Sequence, residues 1–196
     1  SNSLGSTHRM WDAQLAALED RFRVVRYDTR GHGESPPVPQ GPPYTIDDLA
    51  DDVIGLLDRL EIDRAHLVGL SLGGMTMMRV AARNPRTGTT SRRPLHRRAT
   101  PPRHRPGSIG PPPCGRTEPG VVAESVVQRW FTPEHLSTYG SSRKFHEDMV
   151  AATPAEGGYA ACCEVIAAMD LRDDLPSIVA PTLAIAGAET RPPHRR

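Results

Sequence analysis

The sequence has a single lysine, few cysteines and aromatic residues, and no long apolar run. Lys144 is the only lysine among 24 Lys and Arg residues. Three cysteines in 196 residues are too few for a disulfide framework, and this predicts a reducing, cytoplasmic setting. With a mean hydropathy of −0.46, no stretch approaches the roughly 18 apolar residues of a membrane-spanning helix. The opening residues SNSLGSTHRM also lack the apolar core of a signal peptide, so we expect neither export nor a membrane partner.

The near-neutral net charge of +1 is the sum of two kinds of sequence. Residues 86–117 contain eight arginines, seven prolines and no acidic residue, and the tail 191–196 adds three arginines. Without these eleven arginines the net charge would be −10. Because prolines remove backbone donors, we predict that 86–117 is disordered or poorly packed. We hypothesise that 86–117 and 190–196 are translated out of frame from a GC-rich gene.

Elsewhere the apolar pattern predicts an α/β fold with a mostly parallel sheet flanked by helices. The run T-I-D-D at 45–48 has the pattern of a helix capping box. Continuous apolar runs at 65–70 and 181–186 are typical of strands covered on both faces. The predicted strands are 22–27, 65–70 and 181–186, and the predicted helices are 10–20, 45–60, 72–84, 121–131, 142–152 and 158–169.

The sharpest chemical motif is G-x-S-x-G at residues 69–73. It directly follows a predicted strand and opens a predicted helix, which is the context of a nucleophile elbow. Such a turn leaves no space for side chains at Gly69 and Gly73 and raises the hydroxyl of Ser71 above the sheet. The structural alternative is that Ser71 only caps a helix after a glycine turn.

Two further motifs accompany the elbow, N-S-L-G at residues 2–5 and R-G-H-G-E-S at residues 30–35. Together with G-L-S-L-G-G-M at 69–75, they make the chain resemble α/β-hydrolases, and more narrowly the 3-oxoadipate enol-lactonases of aromatic degradation. The resemblance covers residues 1–85 and roughly 118–188. It implies an α/β-hydrolase fold with a helical cap, incomplete at both ends. The implied parts are a core with the elbow at 1–85, an anomalous Arg/Pro-rich block at 86–117, the cap region at 118–175, and a late core strand with an aberrant tail at 176–196.

The resemblance also implies roles for individual residues. Ser71 would be the nucleophile, and the backbone N–H groups of Leu4 and Leu72 would form the oxyanion hole. Arg129 and Trp130 would lie over the pocket, where they could pair with a substrate carboxylate and cover its ring. Two alternatives remain open, in which 1–5 is a frayed polar terminus and Trp130 is core beside a solvated Arg129. No metal or organic cofactor is implied.

The charge-relay partners of Ser71 are harder to place. The family order is Ser, then acid, then His, with the acid about three residues after Gly187. That position is Thr190, so the adjacent Glu189 is the candidate acid. His194 is too close to the acid to be the base, and we expect the catalytic histidine to be absent. Three residues of catalytic type are expected to be loop scaffolding instead: Asp28, Arg30 and His32.

These observations predict an enzyme, a carboxylic ester hydrolase that opens 3-oxoadipate enol-lactone to 3-oxoadipate and is impaired in this chain by the missing acid and base. One alternative is another ester or lactone hydrolase of the same fold. An alternative of another class is a non-catalytic fragment or a basic interaction protein. Residues 86–117 have no aromatic side chain for base stacking, so we expect no nucleic-acid partner. The expected partner is a small lactone or ester, and the pattern does not specify an oligomeric state.

Overall fold

Two groups of helices form the regular structure of the computed structural model, which describes residues 1–36, 45–84, 119–154 and 158–187. The first group is α1 (Asp12–Leu18), α2 (Ile46–Arg59) and α3 (Leu72–Arg83). The second helical group is α4 (Pro119–Trp130), α5 (Pro133–Thr138), α6 (Gly140–Ala151) and α7 (Ala160–Ala168). Short 3₁₀ turns occupy His8–Trp11 and Leu175–Ser177. No helix within these described ranges is long and apolar enough to cross a membrane.

Local sequence signals account for where these helices begin. Helix α2 starts at the predicted capping box, where the Thr45 N–H donates to Asp48 Oδ2 at 2.6 Å. The predicted helix at 10–20 is shorter than expected, because its first turn is 3₁₀. Helix α5 is an addition to the prediction. The sequence marks its start with Thr132 at the cap position and Pro133 at the first helical position. In the structure the His135 N–H donates to Thr132 Oγ1 at 3.2 Å.

The predicted strands are not paired into a ladder within the described residues. Instead, the segment 65–70 alternates between half-buried and exposed side chains, and Val68 is 59% exposed. The segment 181–186 is exposed throughout. Within the described residues, neither segment is covered on both faces. The reason is that helices pack against one side of 65–70, while no described element covers the other.

A parallel-type pairing is nevertheless present at the end of segment 65–70. The amino group of Ser1 donates to Val68 O at 2.6 Å, and the Leu70 N–H donates to Ser1 O at 3.2 Å. Ser1 thus bonds to Val68 and to Leu70, the residues before and after Gly69. This is the hydrogen-bond pattern of parallel strands. It brings the start of the chain beside the predicted elbow.

Helices α2 and α3 pack against each other through a small hydrophobic cluster. The buried members are Ala50, Val53, Met77 and Val80, and the side chains of Tyr27 and Leu67 pack against them. At the edge of this contact, Arg79 Nε donates to Asp47 Oδ1 at 2.7 Å and Arg83 lies 3.1 Å from the same oxygen. The pair of helices therefore forms a firm support for the turn that precedes α3.

A larger group, here called the shared cluster, joins the second helical group to the first. Its buried members come from the chain start, from α2 and α3, and from α4, α6 and α7. They are Leu4, Ile46, Leu49, Leu72, Ala123, Val126, Val127, Val150, Tyr159, Cys162, Cys163, Val165 and Ile166. Burying this many apolar side chains in one contact supplies most of the driving force that holds the two helical groups together.

Candidate active site

Ser71 lies at an abrupt turn between segment 64–70 and helix α3. Its backbone φ is +53°, a left-handed value that non-glycine residues rarely adopt. A Cβ on Gly69 would lie 2.3 Å from Gly73 O, and a Cβ on Gly73 would lie 2.3 Å from Ser1 O. Both positions therefore require glycine, as the motif predicts. The Ser71 side chain is exposed and makes no capping hydrogen bond, so helix capping does not explain its presence.

The loop at residues 2–5 is buried beside this turn. Asn2 is only 1% exposed, and its Nδ2 donates to Tyr27 O at 2.7 Å. The indole Nε1 of Trp11 donates in turn to Asn2 Oδ1 at 3.0 Å. A polar side chain held at both ends of its amide is a fixed part of the fold, so the interpretation of 1–5 as a frayed terminus is wrong.

The two predicted oxyanion donors, Leu4 and Leu72, have their side chains in the shared cluster. Leu4 is 8% exposed and Leu72 is 1% exposed. Within the described residues, no acceptor is bonded to the backbone N–H of either one. The Leu72 N–H also belongs to the first turn of α3, where the helix dipole favours negative charge. N–H groups without an acceptor in the described residues are what an oxyanion hole needs, provided that they point at the reacting oxygen.

Asp28 connects the chain start to the loop 28–35. Its Oδ1 accepts the His8 N–H at 2.6 Å, and its Oδ2 accepts the Glu34 N–H at 3.1 Å. Gly33, with φ +52°, lets the loop approach so closely that a Cβ there would lie 2.2 Å from Asp28 Oδ2. Burial acts to raise the pKa of Asp28, but these hydrogen bonds together with the His8 side chain hold it below its usual range. The ionised Asp28 side chain therefore joins the chain start, at His8, to the loop 28–35.

We expect Asp28→Asn to lower the free energy of unfolding by about 1–3 kcal/mol near pH 7, because one amide end cannot accept the bonds that the carboxylate accepts. The folded pKa of Asp28 lies below its unfolded value, so its contribution is complete above about pH 4 and is lost as the pH falls through the folded pKa. Urea unfolding at pH 7 and at pH 3 measures the difference. Asp20→Asn, at an exposed position, is the control and should change little. A gap between wild type and Asp28→Asn that widens at acidic pH would contradict the prediction.

The side chains of Arg30 and His32 also bind structural partners within the fold. The Arg30 guanidinium pairs with Asp52 in α2. His32 is fully buried, and its Nε2 accepts the Gly5 N–H at 3.1 Å. Neither side chain is bonded to Ser71, which agrees with the expected structural role of the loop.

Arg129 and Trp130 occupy the last turn of α4. Trp130 is half-buried and packs against the shared cluster. Arg129 is exposed, and it forms no ion pair within the described residues. Burial raises the pKa of the Tyr159 hydroxyl, and the positive charge of Arg129 partly offsets that rise.

Tyr159 is a contact that the sequence pattern did not reveal. Its ring is 5% exposed and lies against the loop of residues 2–5, where a Cβ on Gly5 would be 2.9 Å from Tyr159 Cε2. The neighbouring Gly158 is equally close to the loop 28–35, because a Cβ there would lie 2.1 Å from Gly31 O. No local motif marks this pair, since the contact joins residues far apart in sequence.

The remaining predicted site residues lie outside the described part of the chain. Glu189 and His194 fall in 188–196, and the Arg/Pro-rich block falls in 85–118. Within the described ranges, no histidine is hydrogen-bonded to Ser71 Oγ, and no group of three or more His, Cys, Asp or Glu side chains could hold a metal ion. The described part of the site therefore consists of a nucleophile candidate and two donor candidates.

Known proteins resemble this chain over most of its length. The family model for the alpha/beta hydrolase fold matches residues 2–87. A 3-oxoadipate enol-lactonase of Acinetobacter baylyi is 37% identical, and the alignment covers 96% of this chain and 69% of that protein. These matches confirm the resemblance that the motifs predicted.

Solved structures agree. The crystal structure of the enol-lactonase from Burkholderia xenovorans LB400 matches with a TM-score of 0.74 at 39% identity, over 91% of this chain and 67% of that one. A hydrolase from Pseudomonas aeruginosa PA01 matches with a TM-score of 0.75 at 35% identity, over 96% of this chain and 70% of that one. The predicted α/β-hydrolase fold is confirmed, and the chain belongs to the α/β-hydrolase family.

Proposed function

We propose that this chain is a serine hydrolase that opens 3-oxoadipate enol-lactone to 3-oxoadipate. The observation that carries the proposal is an exposed Ser71 at φ +53°, followed by Leu72 at the start of α3 and packed near the chain start that carries Leu4, through the contact of Gly73 with Ser1 and Asn2. Within the described residues, the N–H groups of Leu4 and Leu72 have no acceptor. The similarity to enol-lactonases over nearly the whole chain supports the choice of a lactone as substrate. We also propose a cytoplasmic location, which the low cysteine count favours and the disulfide-bonded state of Cys163 opposes.

The reaction follows from this geometry. Ser71 Oγ attacks the lactone carbonyl carbon while its proton passes to a general base that is not among the described residues, and the carbonyl oxygen becomes an oxyanion held by the two N–H groups. The ring C–O bond then breaks and the enol oxygen leaves with a proton. Water cleaves the resulting acyl-enzyme in the same way and restores Ser71. The enol is a good leaving group, so stabilising the oxyanion is the main task of this part of the protein.

Arg129 is proposed to bind the free carboxylate of the substrate. Closing the lactone of a six-carbon dicarboxylic acid uses one carboxyl group and leaves the other ionised at neutral pH. The second helical group, proposed as the cap, carries Arg129 exposed in the last turn of α4. Tyr159, which precedes α7, contacts Gly5 in the loop at residues 2–5. Trp130 would contribute by holding this end of α4 against the shared cluster.

A comparison of two substrates tests the proposal. We expect kcat/KM for the enol-lactone to exceed that for its carboxylate methyl ester by about tenfold, since a charge-assisted hydrogen bond contributes about 1.5–3 kcal/mol. In Arg129→Gln this preference should fall to about one, mainly through a higher KM for the charged lactone. Initial rates measured by absorbance over a range of substrate concentrations give both constants.

Arg59→Gln is the matched control, because Arg59 is also an exposed arginine in the last turn of a helix. It should keep the wild-type preference. Faster turnover of uncharged esters than of either lactone would instead favour another ester hydrolase of the same fold. An unchanged preference in Arg129→Gln would remove Arg129 from the proposed site.

A further inference from the structure

His32 is a completely buried histidine with both ring nitrogens engaged. Its Nε2 lies 3.1 Å from the Gly5 backbone nitrogen, and its Nδ1 lies 3.2 Å from Arg30 O. The Gly5 N–H can only donate, so Nε2 must be the unprotonated nitrogen. The Arg30 carbonyl can only accept, so Nδ1 must carry the hydrogen. These two bonds therefore specify a neutral ring of one tautomer.

The bond from His32 reaches the middle of the turn that carries Leu4. The Ser6 N–H donates to Ser3 O at 3.2 Å, which closes a four-residue turn, and Gly5 has φ +71° at its third position. A glycine with positive φ at this position is typical of a type II turn, whose central peptide can flip to the type I orientation. A flipped peptide would direct the Leu4 carbonyl oxygen at the Nε2 lone pair. The neutral ring therefore selects one orientation of the Leu4–Gly5 peptide and anchors the turn at Gly5. The Leu4 N–H belongs to the preceding peptide, so its position depends on this anchor and not on the flip itself.

The turn is also held from its other side. The ring of Tyr159 lies against Gly5, where a Cβ would be 2.9 Å from Cε2. Burial lowers the pKa of His32, while its bond to Arg30 O and the charge of Asp28 oppose this effect. The ring thus remains neutral at neutral pH, and the acceptor on Nε2 is available throughout the working range.

We propose that His32 is a positioning residue of the oxyanion hole, which as the Nδ1–H tautomer binds the Gly5 N–H and thereby anchors the turn at residues 3–6, whose second residue, Leu4, supplies one donor. This inference rests on the proposed function, because it assigns Leu4 as a donor. It adds a role for a side chain that does not touch the reacting atoms.

The kinetic test compares two replacements of His32. His32→Met fills the space without an acceptor, and we expect kcat to fall about 100-fold with KM changed less than threefold, since a displacement of about 1 Å in a catalytic group can cost about 100-fold in rate. His32→Gln offers its side-chain oxygen in place of Nε2 and should retain kcat within about tenfold. His66→Met, at an exposed histidine, is the control and should match wild type. Equal losses in the Met and Gln variants, or losses only in KM, would overturn the proposal.

A second measurement needs no turnover and no variant of His32. Long-range ¹⁵N NMR of the wild-type chain at pH 7 should show an unprotonated Nε2 and a protonated Nδ1 for His32. The same signals should appear in Ser71→Ala, which keeps the fold and removes the nucleophile. The opposite tautomer or a doubly protonated ring would overturn the role of His32, whereas a loss of all turnover with these signals intact would count only against the proposed function.

Discussion

Ser71→Ala is expected to lower kcat on the enol-lactone by about 10⁴-fold or more, with the fold unchanged. Loss of the nucleophile in a serine hydrolase removes both the acylation step and the covalent intermediate, which accounts for the size of the effect. The hydroxyl of Ser71 is exposed and makes no capping bond, so its removal should leave the free energy of unfolding within about 0.5 kcal/mol of wild type. Initial rates and urea unfolding on the same preparations give both quantities.

The control is Ser141→Ala, which removes an exposed hydroxyl at the start of α6 and should leave kcat unchanged. A third variant separates strain from chemistry. Ser71→Gly relieves the positive φ and should raise the free energy of unfolding by about 1 kcal/mol while remaining inactive. Equal and measurable rates for wild type and Ser71→Ala would refute the assignment of Ser71 as nucleophile, whereas no turnover by either protein would refute the proposed activity of this chain.

Gly73→Ala is expected to lower the free energy of unfolding by about 3 kcal/mol and to reduce kcat as well. Its new Cβ would lie 2.3 Å from Ser1 O and 2.7 Å from Asn2 O, both of them backbone atoms that cannot rotate away. Relief of this overlap requires the loop at 2–5 to move away from α3, and overpacking of this kind usually costs about 1–3 kcal/mol. Since Leu4 is part of that loop, the oxyanion hole would widen at the same time.

Gly55→Ala is a control that is expected to raise the free energy of unfolding instead of lowering it. Gly55 lies in the interior of α2 and is exposed, and a Cβ added there would meet no atom within 4 Å. Alanine there should stabilise the protein by about 0.5–1 kcal/mol, because glycine is a poor helix former. Thermal or urea unfolding of both variants measures the difference. If Gly73→Ala were as stable as Gly55→Ala, the close approach of the loop to α3 would be incorrect.

The helices and the elbow could be predicted because their signals are local. Helix α2 is marked by Thr45 and Asp48 at its start and by apolar spacing along its length. The elbow is marked by Gly69 and Gly73, where steric limits act within five residues. In such cases the residues that determine the structure are neighbours in sequence, so pattern and capping rules suffice.

The surroundings of these elements could not be predicted in the same way. Whether Val68 is buried depends on which element lies across it, and an apolar run does not specify that neighbour. The contacts of Gly158 with Gly31 and of Tyr159 with Gly5 join segments more than a hundred residues apart. The role of His32 likewise emerges only from the distance between its ring and Gly5. These features depend on tertiary placement, which carries no periodic signature.

The shared cluster has a consequence for protein engineering. Ala123 and Val127 from α4, and Val165 from α7, pack in the same interior as Leu4 and Leu72. The second helical group is therefore not a detachable module that could be exchanged with that of another hydrolase to alter substrate range. Such a graft would replace the side chains that hold both backbone donors, so selectivity and turnover would change together. Retargeting is better attempted one surface residue at a time, beginning with Arg129, which lies outside this interior.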